Sequence, residues 1–219
     1  MERRREMKKL TVVLVAIAFM AFLASAASAQ GAMENMSFGI KGGVNLSKPW
    51  GDDVPDDAKW RLGANIGAFM SYQFHDMFAI QPEVYYAMKG WKEEFGDTTF
   101  TAKMDYVDIV VLGKLLIPME GMVQPCLFVG PCLGINIKKD YEVDPVPPGV
   151  EGEGELEEIK STDFGAVLGA SLDIEISEGY MLLLDIRYNM GLTTIHDPDE
   201  GDASDVKNQA ITFMAGIAF

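Results

Sequence analysis

The sequence predicts an all-β protein: an eight-stranded antiparallel up-and-down transmembrane β-barrel. Three observations lead to this fold class. The chain begins with an export signal, its later segments alternate apolar residues with polar or small ones, and the connections between these segments alternate in length. A transmembrane β-strand is a run of about 9 to 11 residues with this period-two pattern, and single-chain outer-membrane barrels join an even number of such strands.

The first 29 residues have the composition of a cleaved signal peptide. A basic start is followed by an apolar stretch at 10–23, and Ala27-Ser28-Ala29 supplies the small residues expected at a cleavage site. The apolar stretch is shorter than the roughly 20 residues that a spanning helix needs. We therefore predict a signal peptide at 1–29 and one β-barrel domain at 30–219.

The predicted strands begin at residue 38. The first, 38–46, places apolar side chains on the face opposite Lys41 and Asn45. In the second, 61–74, seven successive positions of one face are apolar, from Leu62 to Phe74. A strand of a globular protein has about 5 to 6 residues in all, so this length favours a membrane-spanning strand.

Six further segments repeat the alternation. Each has apolar residues at every second position, opposite charged residues, polar residues or glycine. In order they are 78–89, 106–117, 126–138, 163–176, 180–191 and 209–219. In the last of them Ile211, Phe213 and Phe219 share one face, and the other face is small apart from Met214.

The connections are alternately tight and long. Tight turns lie at 74–77, 118–121 and 177–179, whereas the longer polar connections are 48–58, 93–98, 144–157 and 193–205. In outer-membrane barrels the short turns are periplasmic and the long loops extracellular. The Pro-, Gly- and Glu-rich composition of 144–157 predicts a flexible loop without regular structure.

The charge of the chain excludes one class of partner. The net charge is −15, and removal of the predicted signal would leave 13 basic and 31 acidic residues, a net charge of −18. Nucleic acid is therefore not a predicted partner, because phosphate binding needs a basic surface. Most acidic residues fall in three polar stretches, 52–57, 151–158 and 197–205, which read as solvated loops.

Four stretches of the chain are distinctive. In order they are Phe38-Gly-Ile-Lys-Gly-Gly-Val-Asn-Leu46, Gln81-Pro-Glu-Val-Tyr-Tyr-Ala-Met-Lys-Gly90, Tyr106-Val-Asp-Ile-Val110 and Pro125-Cys-Leu-Phe-Val-Gly-Pro-Cys-Leu-Gly134. In residues and order they resemble the PorT-like outer-membrane β-barrel proteins of Bacteroidetes-type bacteria. The resemblance implies the barrel type. Since the name-giving member is linked to protein secretion and gliding, it also implies an accessory role in secretion.

The lumen of such a barrel is predicted to contain a cluster of charges. A barrel of about eight strands is just wide enough to be filled by side chains, and buried charges must be paired. Charged residues of both signs lie opposite the apolar faces, and we predict that they form a salt-bridged plug. The predicted cluster is Lys41, Arg61, Glu83, Lys89, Asp108, Lys114, Asp173, Glu175, Asp185 and Arg187, with Lys138 on the same face. An ion or proton relay through these charges is an alternative interpretation.

We predict a non-enzymatic protein of the outer membrane, with a structural or interaction role in the cell envelope and without a cofactor, catalytic residue or metal-binding residue. Two alternatives stand beside it. A lipid A-modifying outer-membrane enzyme needs a base near a nucleophile; the candidates are His75 beside Asp76, and His196 beside Asp197 with Ser204 nearby. A soluble lipocalin-like barrel would turn its apolar face inward to a ligand.

The predicted partners follow from the fold and from the loops. The apolar faces predict contact with outer-membrane lipid, and the long loops predict contact with other envelope proteins. Residues 197–202, Asp-Pro-Asp-Glu-Gly-Asp, have the carboxylate density of a divalent-cation site, although they lack the spacing of an EF-hand loop. Divalent cations are therefore predicted as partners of the acidic loops.

Overall fold

The computed structural model describes residues 35–55, 57–156, 159–195 and 205–219. Within these ranges the chain forms nine strands: β1 (Met36–Trp50), β2 (Lys59–His75), β3 (Phe78–Phe95), β4 (Thr98–Leu116), β5 (Val123–Asp144), β6 (Glu153–Glu155), β7 (Thr162–Ser177), β8 (Tyr180–Gly191) and β9 (Lys207–Ala218). The eight long strands pair antiparallel, and pairing of β1 with β9 closes the sheet. The predicted eight-stranded barrel is confirmed. The predicted signal peptide at 1–29 lies outside the described residues.

The barrel has two different ends, which we call the short-turn end and the long-loop end. At the short-turn end, two-residue turns join β2 to β3 and β7 to β8, and residues 117–122 join β4 to β5. Gly179 in the β7–β8 turn has a φ of 80°, which glycine adopts without steric cost. At the long-loop end, the described parts of the longer connections are 51–55, 57–58, 145–156, 159–161, 192–195 and 205–206.

Several strands extend further toward the long-loop end than the sequence pattern indicates. β3 and β4 remain paired up to Phe95 and Thr98. The predicted loop at 93–98 is therefore wrong except for the turn at Gly96-Asp97. Alternation of apolar and polar residues marks only the part of a strand with one apolar face, whereas backbone pairing continues where both faces are polar.

The connection between β5 and β7 also contains regular structure. β6 pairs antiparallel with residues 140–142 of β5, so the prediction of an irregular loop at 144–157 is wrong for this part. β7 begins only at Thr162, which lies opposite Ile135 of β5. The outer part of β5 therefore has a free edge, and β6 occupies it.

The apolar face of the sheet points outward. The exposed large apolar side chains include Ile40, Val44, Leu62, Ile66, Ile80, Leu127, Val129, Phe164, Leu168, Leu184, Ile186, Phe213 and Ile217. The polar and charged side chains between them are buried inside the barrel. No helix among the described residues has the length and hydropathy needed to cross a membrane. The lipocalin-like alternative is wrong, because it requires the opposite orientation of the two faces.

Aromatic rings and glycines fill the inside of the barrel together. A Cβ on Gly39 would lie 2.4 Å from the ring of Phe69, and one on Gly169 would lie 2.5 Å from the ring of Phe128. Each ring therefore rests directly on the backbone of the neighbouring strand. The lumen can hold such large rings only because the facing positions lack side chains.

Apolar residues from the long loops cover the long-loop end. Ile159, Ile195 and Val206 are buried against Met104 and Tyr106 of β4, and we call these five residues the outer cap. Backbone hydrogen bonds of 2.8 Å join the loop segments to one another, from Lys160 N–H to the Ile195 carbonyl and from Ile195 N–H to the Val206 carbonyl. The loops thus form a small hydrophobic core of their own above the lumen.

Candidate functional site: the charged lumen

Four charged side chains meet in the lumen and form what we call the central cluster: Lys41, Glu83, Asp185 and Arg187. The Lys41 ammonium lies 2.8 Å from Asp185 Oδ2 and 3.4 Å from Glu83 Oε1. Arg187 donates to Glu83 Oε2 and to Asp185 Oδ2, each at 2.7 Å. The four side chains are at most 2% exposed. Two cations thus face two anions in a site without access to solvent.

The order of the strands explains why these residues meet. Lys41 lies on β1, and Glu83 on β3 is two strands away in one direction. Asp185 and Arg187 lie on β8, two strands away in the other direction, and their spacing of two places both on the inward face. Side chains from three separated strands therefore converge across the lumen.

Aromatic rings and one amide complete the surroundings of the central cluster. The Lys41 ammonium lies 4.8 Å from the centre of the Phe69 ring, and the Arg187 guanidinium lies 5.2 Å from the centres of both Tyr85 and Phe128. Gln81 donates to Glu83 Oε1 at 2.6 Å. The cations thus exchange water for carboxylates and ring faces, which attract positive charge.

A second ion pair lies nearer the short-turn end. The ammonium of Lys114 on β4 is 2.8 Å from Asp173 Oδ2 on β7, and both side chains are buried. Ser171 donates to the other oxygen of Asp173 at 2.9 Å, and the thiol of Cys126 lies 3.6 Å from Oδ2. We call Lys114 and Asp173 the lower pair.

A third ion pair lies nearer the long-loop end. The ammonium of Lys89 is 2.8 Å from Asp108 Oδ2 and 4.7 Å from the centre of the Tyr106 ring. Close by, the Asn208 amide donates to Asp163 at 2.8 Å and to the Tyr106 hydroxyl at 3.1 Å. We call Lys89 and Asp108 the upper pair, and it lies directly beneath the outer cap.

Eight of the ten residues proposed from the sequence therefore lie in these three groups, and two do not. Arg61 is half-buried and hydrogen-bonds to the backbone carbonyl of Lys89, at a place where the β2–β3 register shifts. Glu175 faces the lumen side but is exposed at the short-turn end. Lys138 is turned outward and pairs with Asp140 at 3.2 Å. Its predicted inward position is wrong because Ile137 has no partner in β4, so the alternation skips one residue there.

The sequence pattern does not single out the uncharged residues that accompany the charges. Phe69, Gln81, Tyr85, Phe128 and Asn208 all contact a charged group in the lumen. Each occupies an inward position of its strand, so the period-two pattern gives its face. The pattern gives no indication of which inward residues approach one another across the lumen.

Two cavities lie on either side of the central cluster. The larger, which we call the vestibule, has a volume of about 190 Å³ and lies at the short-turn end. Its polar lining consists mainly of Ser37, Ser71, Gln73, Gln81, Lys114 and Gln124. The smaller, of about 20 Å³, lies beside Lys89 and Asp163. That volume suffices for one water molecule.

The residues considered for catalysis and metal binding are arranged differently. His75 is exposed at the end of β2, and its Nδ1 accepts a hydrogen bond of 3.3 Å from the backbone N–H of Met77. His196, Asp197 and Ser204 lie outside the described residues, as does the acidic stretch 197–202. Across the part of the chain that the structure describes, no three His, Cys, Asp or Glu side chains are grouped as metal ligands.

The sequence matches a known protein family, and several solved structures resemble the chain more distantly. Residues 28–197 match the family model described as outer membrane protein beta-barrel domain. Among solved structures, Neisserial surface protein A shares 16% identity, with 83% of this chain and 95% of that chain covered and a TM-score of 0.46. OprG of Pseudomonas aeruginosa shares 13% identity, with 83% and 94% covered and a TM-score of 0.47. No curated protein matches the sequence.

Proposed function

The chain belongs to the outer membrane protein beta-barrel domain family and is located in the outer membrane, and from this premise we propose that it is a closed, non-conducting barrel. In this proposal the paired charges of the lumen block passage through the barrel. Its role in the envelope is structural or interactive, through the long loops and the lipid-facing surface. The protein is proposed to be non-enzymatic.

The observation that carries this proposal is the burial of the central cluster. Lys41, Glu83, Asp185 and Arg187 reach across the lumen from three strands and are bonded to one another. Opening a path for ions would separate these charges, and an isolated buried charge is very costly. The cluster therefore favours one closed state of the lumen.

The size of the barrel supports the same conclusion. Eight strands enclose an interior that side chains can fill, whereas conducting porins have 16 to 18 strands. Here the rings of Phe69 and Phe128 are buried in that interior, directly against the backbone of Gly39 and Gly169. The outer cap adds a second closure at the long-loop end.

A more specific role stays a prediction. The PorT-like resemblance suggests that the protein assists secretion as an accessory, and the long loops are the surface available for such partners. Crosslinking in intact cells followed by identification of bound proteins would test this role. Recovery of envelope proteins that depend on residues 51–55 or 145–156 would support it.

Single-channel recording tests the closed barrel directly. We expect the purified, folded protein to give no stable conductance steps when it is inserted into a planar lipid bilayer. A variant that removes the central cluster, with Lys41→Ala, Glu83→Ala, Asp185→Ala and Arg187→Ala combined, and that also weakens the outer cap through Ile195→Ala, should give measurable steps if it still folds. Heat-modifiable mobility on gels would verify folding. Large, stable channels from the unchanged protein would refute the proposal.

A further inference from the structure

The vestibule has the features of a binding site for a small molecule. We propose that it binds an uncharged ligand rich in hydroxyl or amide groups, which enters from the short-turn end. This proposal rests on the closed lumen only in that the central cluster limits the depth of the vestibule. Binding to the vestibule and conductance through the barrel are separate measurements, so one proposal can fail without the other.

The position of the vestibule determines where a ligand would come from. Asn35, Ser37 and Gln73 lie at its mouth and are at least partly exposed. The deeper lining includes Gln81 and Lys114, which are buried, and beyond Gln81 lies the central cluster. In outer-membrane barrels the short turns face the periplasm, so the ligand would be a periplasmic molecule.

Two buried polar groups of the lining have unused hydrogen-bonding capacity. Gln81 is 1% exposed, and its amide nitrogen donates to Glu83. Its Oε1 accepts no hydrogen bond from the described residues. The Lys114 ammonium has three N–H donors, and within the described residues Asp173 is its acceptor. An acceptor without a partner and a donor with unused capacity therefore lie in the wall of the vestibule.

The remaining lining suits the same kind of molecule. Ser37 and Ser71 lie directly opposite each other on β1 and β2, and Gln73 and Gln124 add two further amides. Leu116 and Leu183 supply apolar wall between the polar groups. Serine hydroxyls and amides can both donate and accept, which matches hydroxyl and amide groups of a ligand.

The charges around the vestibule favour an uncharged ligand. The Lys114 charge is compensated by Asp173, and the central cluster contains two cations and two anions. A charged ligand would lose its hydration without finding an unpaired opposite charge, and this is unfavourable in a buried site. A neutral ligand meets the unused donors and acceptors without this cost.

Titration of the folded barrel in detergent with four named molecules tests the proposal. N-acetylglucosamine and N-acetylalanine amide are the neutral probes, and glutamate and lysine are the charged ones. We expect saturable binding of at least one neutral probe, with a Kd on the order of 1 mM or tighter, measured by ligand-observed NMR. Binding of the sugar alone would indicate a glycan source, and binding of the amide alone a peptide source.

Two variants connect the binding to the vestibule. Ser71→Phe fills the cavity and should abolish binding, whereas Ala64→Phe adds the same ring to the exposed outer face of β2 and should leave binding unchanged. Gln81→Met keeps a similar size but removes the free acceptor and also the hydrogen bond to Glu83. It should weaken binding about tenfold, the effect of one hydrogen bond lost to the ligand. Gln81→Met still tests the proposal if Ser71→Phe does not fold.

Three results would overturn the proposal. The first is no saturable binding of either neutral probe. The second is equal or tighter binding of glutamate or lysine. The third is binding that persists in folded Ser71→Phe or, if Ser71→Phe does not fold, an affinity of Gln81→Met equal to that of the unchanged protein. Conductance of the barrel has no influence on any of these readings.

Discussion

The central cluster and the outer cap, which we propose as the two closures of the lumen, are held together by different physical means. The central cluster uses ion pairs between Lys41, Arg187 and two carboxylates, and it is tied to three strands of the closed sheet. The outer cap uses apolar contacts between loop residues such as Ile195 and Val206. Ion pairs require matched partners at fixed positions, whereas apolar contacts tolerate rearrangement. Damage to the cluster should therefore affect the whole barrel, and damage to the cap should stay local.

The largest expected loss of stability comes from removing one carboxylate of the central cluster. Glu83→Ala leaves Lys41 and Arg187 with Asp185 alone, and removing one partner of a buried ion pair costs about 3–5 kcal/mol. We expect the free energy of unfolding to fall by about this amount. Urea titration of the barrel refolded into lipid vesicles, followed by tryptophan fluorescence, would measure it.

Glu94→Ala is the matched control for this variant. Glu94 pairs with Lys59 at the long-loop end, and both side chains are about half exposed. Exposed ion pairs contribute about 0–1 kcal/mol. If Glu83→Ala and Glu94→Ala destabilise equally, the central cluster stabilises the barrel no more strongly than an exposed ion pair does.

Variants of the lower pair separate two effects on stability. One is the destabilisation caused by a buried charge without a partner, and the other is the net contribution of the intact ion pair. Lys114→Met alone should destabilise the barrel by about 3 kcal/mol, because Asp173 then stays buried without its cation. Lys114→Met combined with Asp173→Leu should restore most of this loss, since replacing both partners by apolar residues is often neutral. The same urea titration would show the restoration. A double variant that is less stable than either single variant would contradict this interpretation.

The outer cap should respond differently to a core substitution. Ile195→Ala removes buried methyl groups, which costs about 2 kcal/mol at the low end of such changes. Because loops can open separately from a sheet, we expect faster amide hydrogen exchange around Ile195 and Val206. The urea midpoint of the barrel should stay unchanged. Leu192→Ala is the control, since Leu192 is 54% exposed, and a shift of the urea midpoint by Ile195→Ala would show that the cap is coupled to the barrel.

The smallest expected effect concerns the ion pair of Lys103 and Glu142, which belongs neither to the central cluster nor to the outer cap. Lys103 hydrogen-bonds to Glu142, whose side chain is about half exposed, and holds the pKa of that carboxyl below its usual value. Because the pKa is lowered in the folded chain, the pair contributes above the pKa of the unfolded chain, and its contribution is lost as the pH falls through the lowered value. Lys103→Met should raise the pKa of Glu142, as an NMR pH titration would show. Lys92→Met should leave it unchanged.

The sequence predicts the orientation of each strand because the alternation is local. Leu62 and Ile66 had to lie on one face of β2 and Asn65 on the other, whatever the rest of the chain does. The pairing of charges is not local. Lys41 and Asp185 are 144 residues apart, and they meet only because β1 and β8 are two places apart in the closed sheet. Local patterns therefore identified the charged residues without their partners.

The departures from prediction have the same origin. Ile137 carries an ordinary apolar side chain, and nothing in its neighbourhood marks it as the residue that the β4–β5 ladder skips. Ile159 and Ile195 are single apolar residues in polar loops, without a period that would place them in a core. Their burial depends on β4 lying below them. Such features follow from the assembled barrel and not from any one segment.

The pairing of β1 with β9 makes the barrel suitable for circular permutation. Phe38 and Phe219 exchange backbone hydrogen bonds of 2.9 and 2.8 Å across this seam, so the two strands join there much as any other neighbours do. In a closed barrel, the pairing of neighbouring strands does not depend on which connection is opened. A circularly permuted chain, linked between β9 and β1 and opened at the turn after Ser177, would retain every strand neighbour of the original.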